Sequence, residues 1–299
     1  MARLGIVVVL IAALPGAIGA QQVPGRDLLD FQVGTIGEAP ALAHLSGDGL
    51  WNPAAVAVPG GFLARFSAST LHAPSEQAVS AASLSASVRI RPTTTVSLGV
   101  VRAAVSDLLR TDTDPQTIGG EVPYSTTVVS ATVARRHGQF VLGLAARYRH
   151  GRLDDIQRGV VGLDAGAIAE DLLHGRVRVA AATFLWRPGG ADGIRQLSYN
   201  LAGDVRIAGP DSLREARGGY ALLIGENDVT EHFGYVAGRY GPVEGRAGMA
   251  RFDAFGHTDW RMRLGLSLHY ARYTVGIARE ENGAGLAPVY QFTLSATIQ

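Results

Sequence analysis

From about residue 60 to the end of the chain, apolar side chains recur at every second position. A period of two is what a strand with one apolar and one polar face requires, and it excludes a helical core packed on a 3.6-residue period. In Ser83 to Arg91, Leu84, Ala86, Val88 and Ile90 share one face, and three serines and two arginines share the other. Gln139 to Arg149 repeats the design, setting Phe140, Leu142, Leu144, Ala146 and Tyr148 against Arg147 and Arg149. Arg261 to Tyr270 does so again, with Met262, Leu264, Leu266, Leu268 and Tyr270 opposite Arg261, Arg263, Ser267 and His269.

Alternation alone does not separate a soluble sandwich from a membrane barrel. The connections do. The pattern predicts fourteen strands, at 61–70, 78–91, 94–105, 122–136, 139–150, 158–171, 175–187, 196–208, 215–225, 231–240, 243–252, 260–270, 271–280 and 287–298. Joints such as Pro92-Thr93, His137-Gly138 and Gly241-Pro242 are very short, whereas Leu71 to Gln77, Ser106 to Glu121, Pro188 to Arg195 and Glu281 to Leu286 are longer. Short and long joints in turn are the rhythm of an up-and-down barrel with tight periplasmic turns and larger outer loops. Strands of this length suit a tilted crossing of a bilayer, and closure leaves no unpaired edge in lipid. Tyr124, Tyr148, Trp186, Trp260, Tyr270, Tyr273 and Tyr290 fall near strand ends, where amphipathic rings sit at headgroup level. The expectation is an all-β transmembrane barrel at residues 59–299, monomeric, in a bacterial outer membrane, with lipid around it.

The first 58 residues have another character. Residues 1–20 read as a secretory signal peptide, with Arg3, an apolar Leu4 to Leu14, and the small-residue end Ala17-Ile18-Gly19-Ala20. Residues 21–58 fit neither strand nor helix; Asp48-Gly49 is turn chemistry, and Asn52 is pushed out of the helical region by Pro53. The small residues around these turns suit a plug that fills the barrel. Asn52 reads as a cap on the next turn and Trp51 as a packing anchor, with ligand contact by Trp51 as the alternative.

Composition narrows the function classes. A net charge of +1 argues against a polyanion-binding surface, so no nucleic-acid partner is expected. With no cysteine, thiol catalysis and zinc–thiolate sites are out. The eight histidines, among them His44 and His269, show no metal-ligand spacing, and no cofactor is expected. His257 with Asp253 and Asp259 reads as a solvated loop, and no Gly-x-Ser-x-Gly elbow occurs, so no enzyme is expected. Arg89, Arg91, Arg135, Arg147, Arg176, Arg178 and Arg272 are candidate lumen-facing residues. They read either as an anion-selecting ring or as the partners of an acidic plug (Asp27, Asp30, Glu38, Asp48) and of lumen carboxylates such as Asp164 and Glu280.

The stretch Asp48-Gly49 through Asn52-Pro53-Ala54, just before the first strand, resembles the signature that closes the N-terminal hatch of the FadL superfamily of long-chain fatty-acid transporters. Gly162-Leu163-Asp164-Ala165-Gly166-Ala167, Arg246-Ala247-Gly248 and the ending from Leu264 to Leu294 resemble the shorter PorV-type branch. The resemblance implies fourteen strands, a lumenal plug (Asp48, Trp51, Asn52, Pro53, Ala54), and passage of hydrophobic or amphipathic small molecules gated by that plug. For the PorV-type branch it implies instead an accessory scaffold for protein secretion or surface attachment, with secretion proteins as partners. Two departures stand out: the outer loops are too short for a large capture site, and the chain ends in Gln299 rather than an aromatic residue.

Overall fold

The computed structural model describes residues 23–44, 49–58, 62–74, 78–111, 118–185, 198–211, 213–225, 229–254, 256–281 and 287–299. Trp186, Asp48 and the predicted signal peptide lie outside them. The strands are β1 (Ala64–His72), β2 (Val79–Arg91), β3 (Thr94–Val105), β4 (Leu109–Thr111), β5 (Ile118–Glu121), β6 (Tyr124–His137), β7 (Phe140–Leu153), β8 (Ile156–Asp171), β9 (Val177–Phe184), β10 (Ser198–Asp211), β11 (Arg214–Ile224), β12 (Thr230–Tyr240), β13 (Val243–Ala254), β14 (His257–Tyr270), β15 (Tyr273–Glu281) and β16 (Val289–Ile298). Fourteen of them close into one antiparallel barrel in which each pairs with its sequence neighbour and β16 returns to β1. The remaining two, β4 and β5, form a separate two-stranded hairpin inside the stretch from Ser106 to Glu121 that the sequence pattern left as a plain joint.

The alternation sorts the two faces as its period demands. Outward side chains are large, apolar and exposed: Leu84, Leu98, Leu142, Leu144, Leu266, Phe292 and Leu294 are each more than half accessible. A soluble monomer tolerates exposed apolar patches of only a few hundred Å², and this one girdles the barrel. The inward face carries Ser67, Ser85, Thr132, Arg147, Asp164, Arg263 and Glu280, all buried.

They are buried because the N-terminal segment threads the lumen with residues 23–44 and 49–58. Its Leu28, Val33 and Ile36 pack with inward Leu71, Ala81 and Ala278, and its Ala54 to Val58 pack with Ala134, Val141, Ile168 and Phe233. β1 begins, and β16 ends, at the rim that holds the β2–β3, β6–β7, β12–β13 and β14–β15 turns.

At the other rim several strands run further than their alternation predicts. β7 and β8 meet at Leu153↔Ile156, and β13 and β14 at Ala254↔His257. Polar residues such as Arg152, Gln157, Asp253 and Asp259 interrupt the alternation there, so the hairpins persist where the pattern fades. Asp253 and Asp259 are therefore strand residues, the first accepting from Thr258 and the second bonded to Arg261.

Candidate functional site: a plug clasped by the lumen wall

The plug has little regular structure, so its backbone carbonyls need donors from elsewhere. The wall supplies them from arginines. Arg147, fully buried, donates to the carbonyls of Gly49 and Leu50, both at 2.8 Å, and pairs with Asp164. Arg149 reaches the carbonyls of Val23 and Pro24 at 3.0 and 3.1 Å. Arg65 and Arg136 do the same for Val58 and Ala57, at 3.1 and 3.3 Å.

A second clasp is ionic. Arg263 holds Glu231 by two bonds of 2.7 Å, Glu280 at 2.5 Å, and plug residue Gln32 at 3.1 Å; Gln32 also donates to Glu231 at 2.6 Å. On β13, Arg246 pairs with plug Glu38 and wall Glu244.

The Asn-Pro-Ala turn is the tightest contact. Asn52 is extended and caps the short 3-10 turn Pro53–Ala57, its side-chain oxygen accepting from the Ala54 N–H. Its amide donates to the carbonyl of Ala41 at 2.7 Å and, more weakly, to that of Ala167 at 3.4 Å. Pro53 sits at N1, where its fixed φ suits a helical start. The wall makes room by having no side chain there: Gly143 and Gly166 are register partners on β7 and β8. A Cβ on Gly143 would lie 2.3 Å from the Ala54 nitrogen, and one on Gly166 would lie 2.0 Å from the Asn52 oxygen. Trp51 donates to the Val33 carbonyl at 3.1 Å and stacks on Phe184 with centroids 4.6 Å apart. It is a packing anchor within the plug and wall.

Behind Gly166 the ladder between described residues is short. The β8–β9 ladder runs from Gly166↔Ala182 to Ala169↔Val179, whereas β7 and β8 pair from Phe140↔Ala169 to Leu153↔Ile156. At the end of the short ladder the Thr183 hydroxyl stands in for a backbone partner, accepting from the Ala165 N–H at 2.9 Å. An apolar cavity of about 340 Å³ opens outward at this seam, lined by Leu142, Ala165, Ala167, Ala181, Tyr199 and Leu201, with Gly166 at its back. A second cavity of about 190 Å³ lies near the rim that carries the strand termini, between plug residues Glu38, Leu42 and His44 and the charged side chains of Arg178, Asp204, Arg217 and Glu244. Burial, helped by Arg65 and Arg178, pushes the His44 imidazole down to about 3, and burial also raises the carboxyl of Glu38.

The arginine candidates separate into two sets. Arg147 and Arg178 face the lumen, the latter bound to Asp204 at 3.1 and 2.5 Å. Arg89 is half-buried, with its guanidinium 5.3 Å from the Phe62 ring centroid near the same rim. The other four correct the expectation. Arg135 falls on the outward face, because inward Thr132 and Ala134 put Arg136 in phase with the lumen instead. Arg91 is exposed, since a bulge between Arg89 and Arg91 shifts its register. Arg176 and Arg272 are exposed in the β8–β9 and β14–β15 turns. No lumenal arginine ring forms from these seven.

The acidic partners differ too: Glu38 meets Arg246, Asp27 accepts from Tyr124, and Asp30 bonds Arg26 of its own segment. Sequence reasoning left Arg65, Arg136 and Arg149 out of the plug's supports.

No family profile and no curated protein sequence matches the chain. Among solved structures, it is similar in fold to "CymD monoaromatic hydrocarbon channel" at TM-score 0.62 and 10% identity, covering 89% of this chain and 98% of that one. It also aligns with "KdgM porin" at TM-score 0.40 and 9% identity, over 79% of this chain and 99% of that one. The fold is that of outer-membrane channels, here with the N-terminal segment folded into the lumen.

Proposed function

We propose that this protein is an outer-membrane channel for small hydrophobic or amphipathic molecules, with residues 21–58 as its gate and the β8–β9 seam as the exit toward the bilayer. The observation that carries the reading is the apolar cavity at that seam, whose back wall is Gly166 with Asn52-Pro53 immediately behind it. If the Asn-Pro-Ala turn moves, what joins β8 to β9 among the described residues is a four-pair ladder, the Leu172–Val177 bridge and one threonine hydroxyl. An apolar solute leaving there enters hydrocarbon without crossing water.

The resemblance to the FadL superfamily and the whole-chain likeness to a hydrocarbon channel both support this assignment. The apolar girdle supports a place in the membrane, and the shared rim of both barrel termini is then the periplasmic one. The protein acts on its solutes without covalent chemistry.

Deleting residues 24–55 tests the gate. The barrel is expected to raise leak of a small hydrophobic dye from reconstituted vesicles. Unchanged permeability in a barrel that keeps its strand content would sink the gate and favour the secretion scaffold, which in turn requires co-purification with secretion proteins.

A further inference from the structure

The outward arginines that leave the lumen form a site of their own. On three neighbouring strands, Arg91, Thr94 and Arg135 are register partners in one row. Neighbouring strands are about 4.8 Å apart, so the two arginine Cα atoms flank Thr94 at about 10 Å from each other. That spacing lets two long side chains converge on one group. Both arginines are exposed.

Among the described residues no ion pair joins either of them to a carboxylate. Arg136, one residue on but facing inward, pairs with Glu170 at 2.7 Å. The row continues into Leu142 and Ala167 without an acid. Toward the barrel's middle, the next outward row is Val88, Val96, Val133 and Leu144, wholly apolar.

A charged side chain on the lipid face costs about 2–4 kcal/mol at mid-membrane but little at the headgroups. Arg135 lies two residues from the end of β6, which puts the row at the interface. We propose that Arg91, Thr94 and Arg135 bind the phosphate of an anionic phospholipid in the periplasmic leaflet, with its acyl chains along Val88, Val133 and Leu144. Two guanidinium groups and a hydroxyl supply donors suited to a phosphodiester, since arginine pairs with phosphate through charge-assisted bonds. The apolar row beneath distinguishes a lipid from a free anion, which would gain nothing from it.

The inference rests on the barrel spanning a membrane, and the test separates the two claims. Protein in nanodiscs of equal phosphatidylglycerol and phosphatidylcholine is released and its retained lipids are weighed by native mass spectrometry. The expected wild-type result is enrichment of phosphatidylglycerol, with about fivefold contributed by each arginine. Arg91→Gln with Arg135→Gln should return the ratio to that of the nanodisc. Arg102→Gln, on the outward face toward the opposite rim, should leave the enrichment intact.

Equal retention of both lipids by the wild type, or enrichment that survives the double substitution, overturns the site. The membrane reading is checked in the same samples by brominated phosphatidylcholine, which should quench fluorescence from exposed Trp260 and lose that effect in Trp260→Phe. Quenching without phosphatidylglycerol enrichment sinks the lipid site alone; no quenching sinks the spanning barrel as well.

Discussion

Two halves of the inner wall hold the same plug by different chemistry. From β16 through β1, β2 and β3 to β6, the inward positions are mostly hydroxyls: Ser67 bonds Ser295 at 3.1 Å, Ser69 bonds Thr293 at 3.1 Å, and Ser87 bonds Ser97 at 2.9 Å. From β7 to β15 charged pairs stand among apolar inward residues, with Arg147–Asp164, Arg178–Asp204 and the Arg263–Glu231–Glu280 cluster. Hydroxyl pairs are small and neutral, and beside them the plug packs through Val33, Ile36 and Leu28 on Leu71, Ala81 and Ala103. Its polar ties on this side run mainly to backbone groups, from Arg65 and Arg136 to the Val58 and Ala57 carbonyls and from the Gly34 N–H to Gln291. The charged half reaches into the plug and fixes it. The difference teaches where motion is cheap: leaving the hydroxyl half gives up packing and bonds to backbone groups, but leaving the charged half strands buried ions. The seam lies within the charged half, so the proposed opening would be coupled to the groups that hold the plug.

The largest break in this contrast is Arg263→Ala. It leaves buried Glu231 with no cation and only the Gln32 amide, and leaves Glu280 only the longer contact to Arg261 at 3.5 Å; loss of one partner from such a cluster costs about 3–5 kcal/mol. Urea unfolding in detergent should show a fall of that order, and an equal fall on Ser85→Ala would erase the distinction between the halves. Next is Gly166→Leu, which drives a side chain into Asn52 and Pro53. Overpacking costs about 1–3 kcal/mol, and here it should displace the turn. A single cysteine placed at Ala54, in a chain that has none, should pass from unreactive to reactive with a maleimide in vesicles.

The pH response comes third. His44 is neutral in the docked plug, held down to about 3, and would titrate near its ordinary 6.5 once released. Release therefore takes up a proton, so docking is strongest above pH 6.5 and weakens by at most about tenfold per pH unit as pH falls toward 3. Glu38 works the other way: its raised carboxyl means that the docked plug holds a proton more readily than the released one, so acid favours docking there. Conductance in planar bilayers should rise on acidification, flatten in His44→Gln, and steepen in Glu38→Gln. A response indifferent to His44→Gln would contradict this. Smallest is Ser67→Ala, which loses one neutral hydrogen bond worth about 0.5–1.5 kcal/mol and should leave cysteine reactivity in the plug unchanged.

Much of the barrel was legible because lipid and lumen impose opposite demands on alternate residues, and nothing in the middle of a strand blurs them. The errors came where the period breaks. The bulge between Arg89 and Arg91 inverts the phase for Arg91. Arg135-Arg136 offers an arginine to each face, and only the phase of Thr132 and Ala134 chooses between them. Arg176 and Arg272 precede their strands, which start at Val177 and Tyr273, two residues after the 175 and 271 that the alternation predicts. The plug's supports were harder to read, because Arg65, Arg136 and Arg149 bond backbone carbonyls, which leave no trace in a sequence. Gly143 and Gly166 did leave one: both sit in inward phase beside positions that carry side chains, such as Val141, Ala145 and Ile168, and inward Gly151 likewise meets the plug at Pro24. A missing side chain facing a lumen marks where something comes close.

Exit through the seam is tested most directly by a disulfide across it. Ala165 and Thr183 face each other where the β8–β9 ladder ends, and cross-strand neighbours have Cβ atoms about 4.5–5.5 Å apart, near enough to bridge after a small shift. Uptake of a small hydrophobic dye by vesicles holding Ala165→Cys with Thr183→Cys should fall severalfold on oxidation and recover on reduction, with the single-cysteine variants unaffected. Full cross-linking with uptake unchanged would contradict exit through the wall.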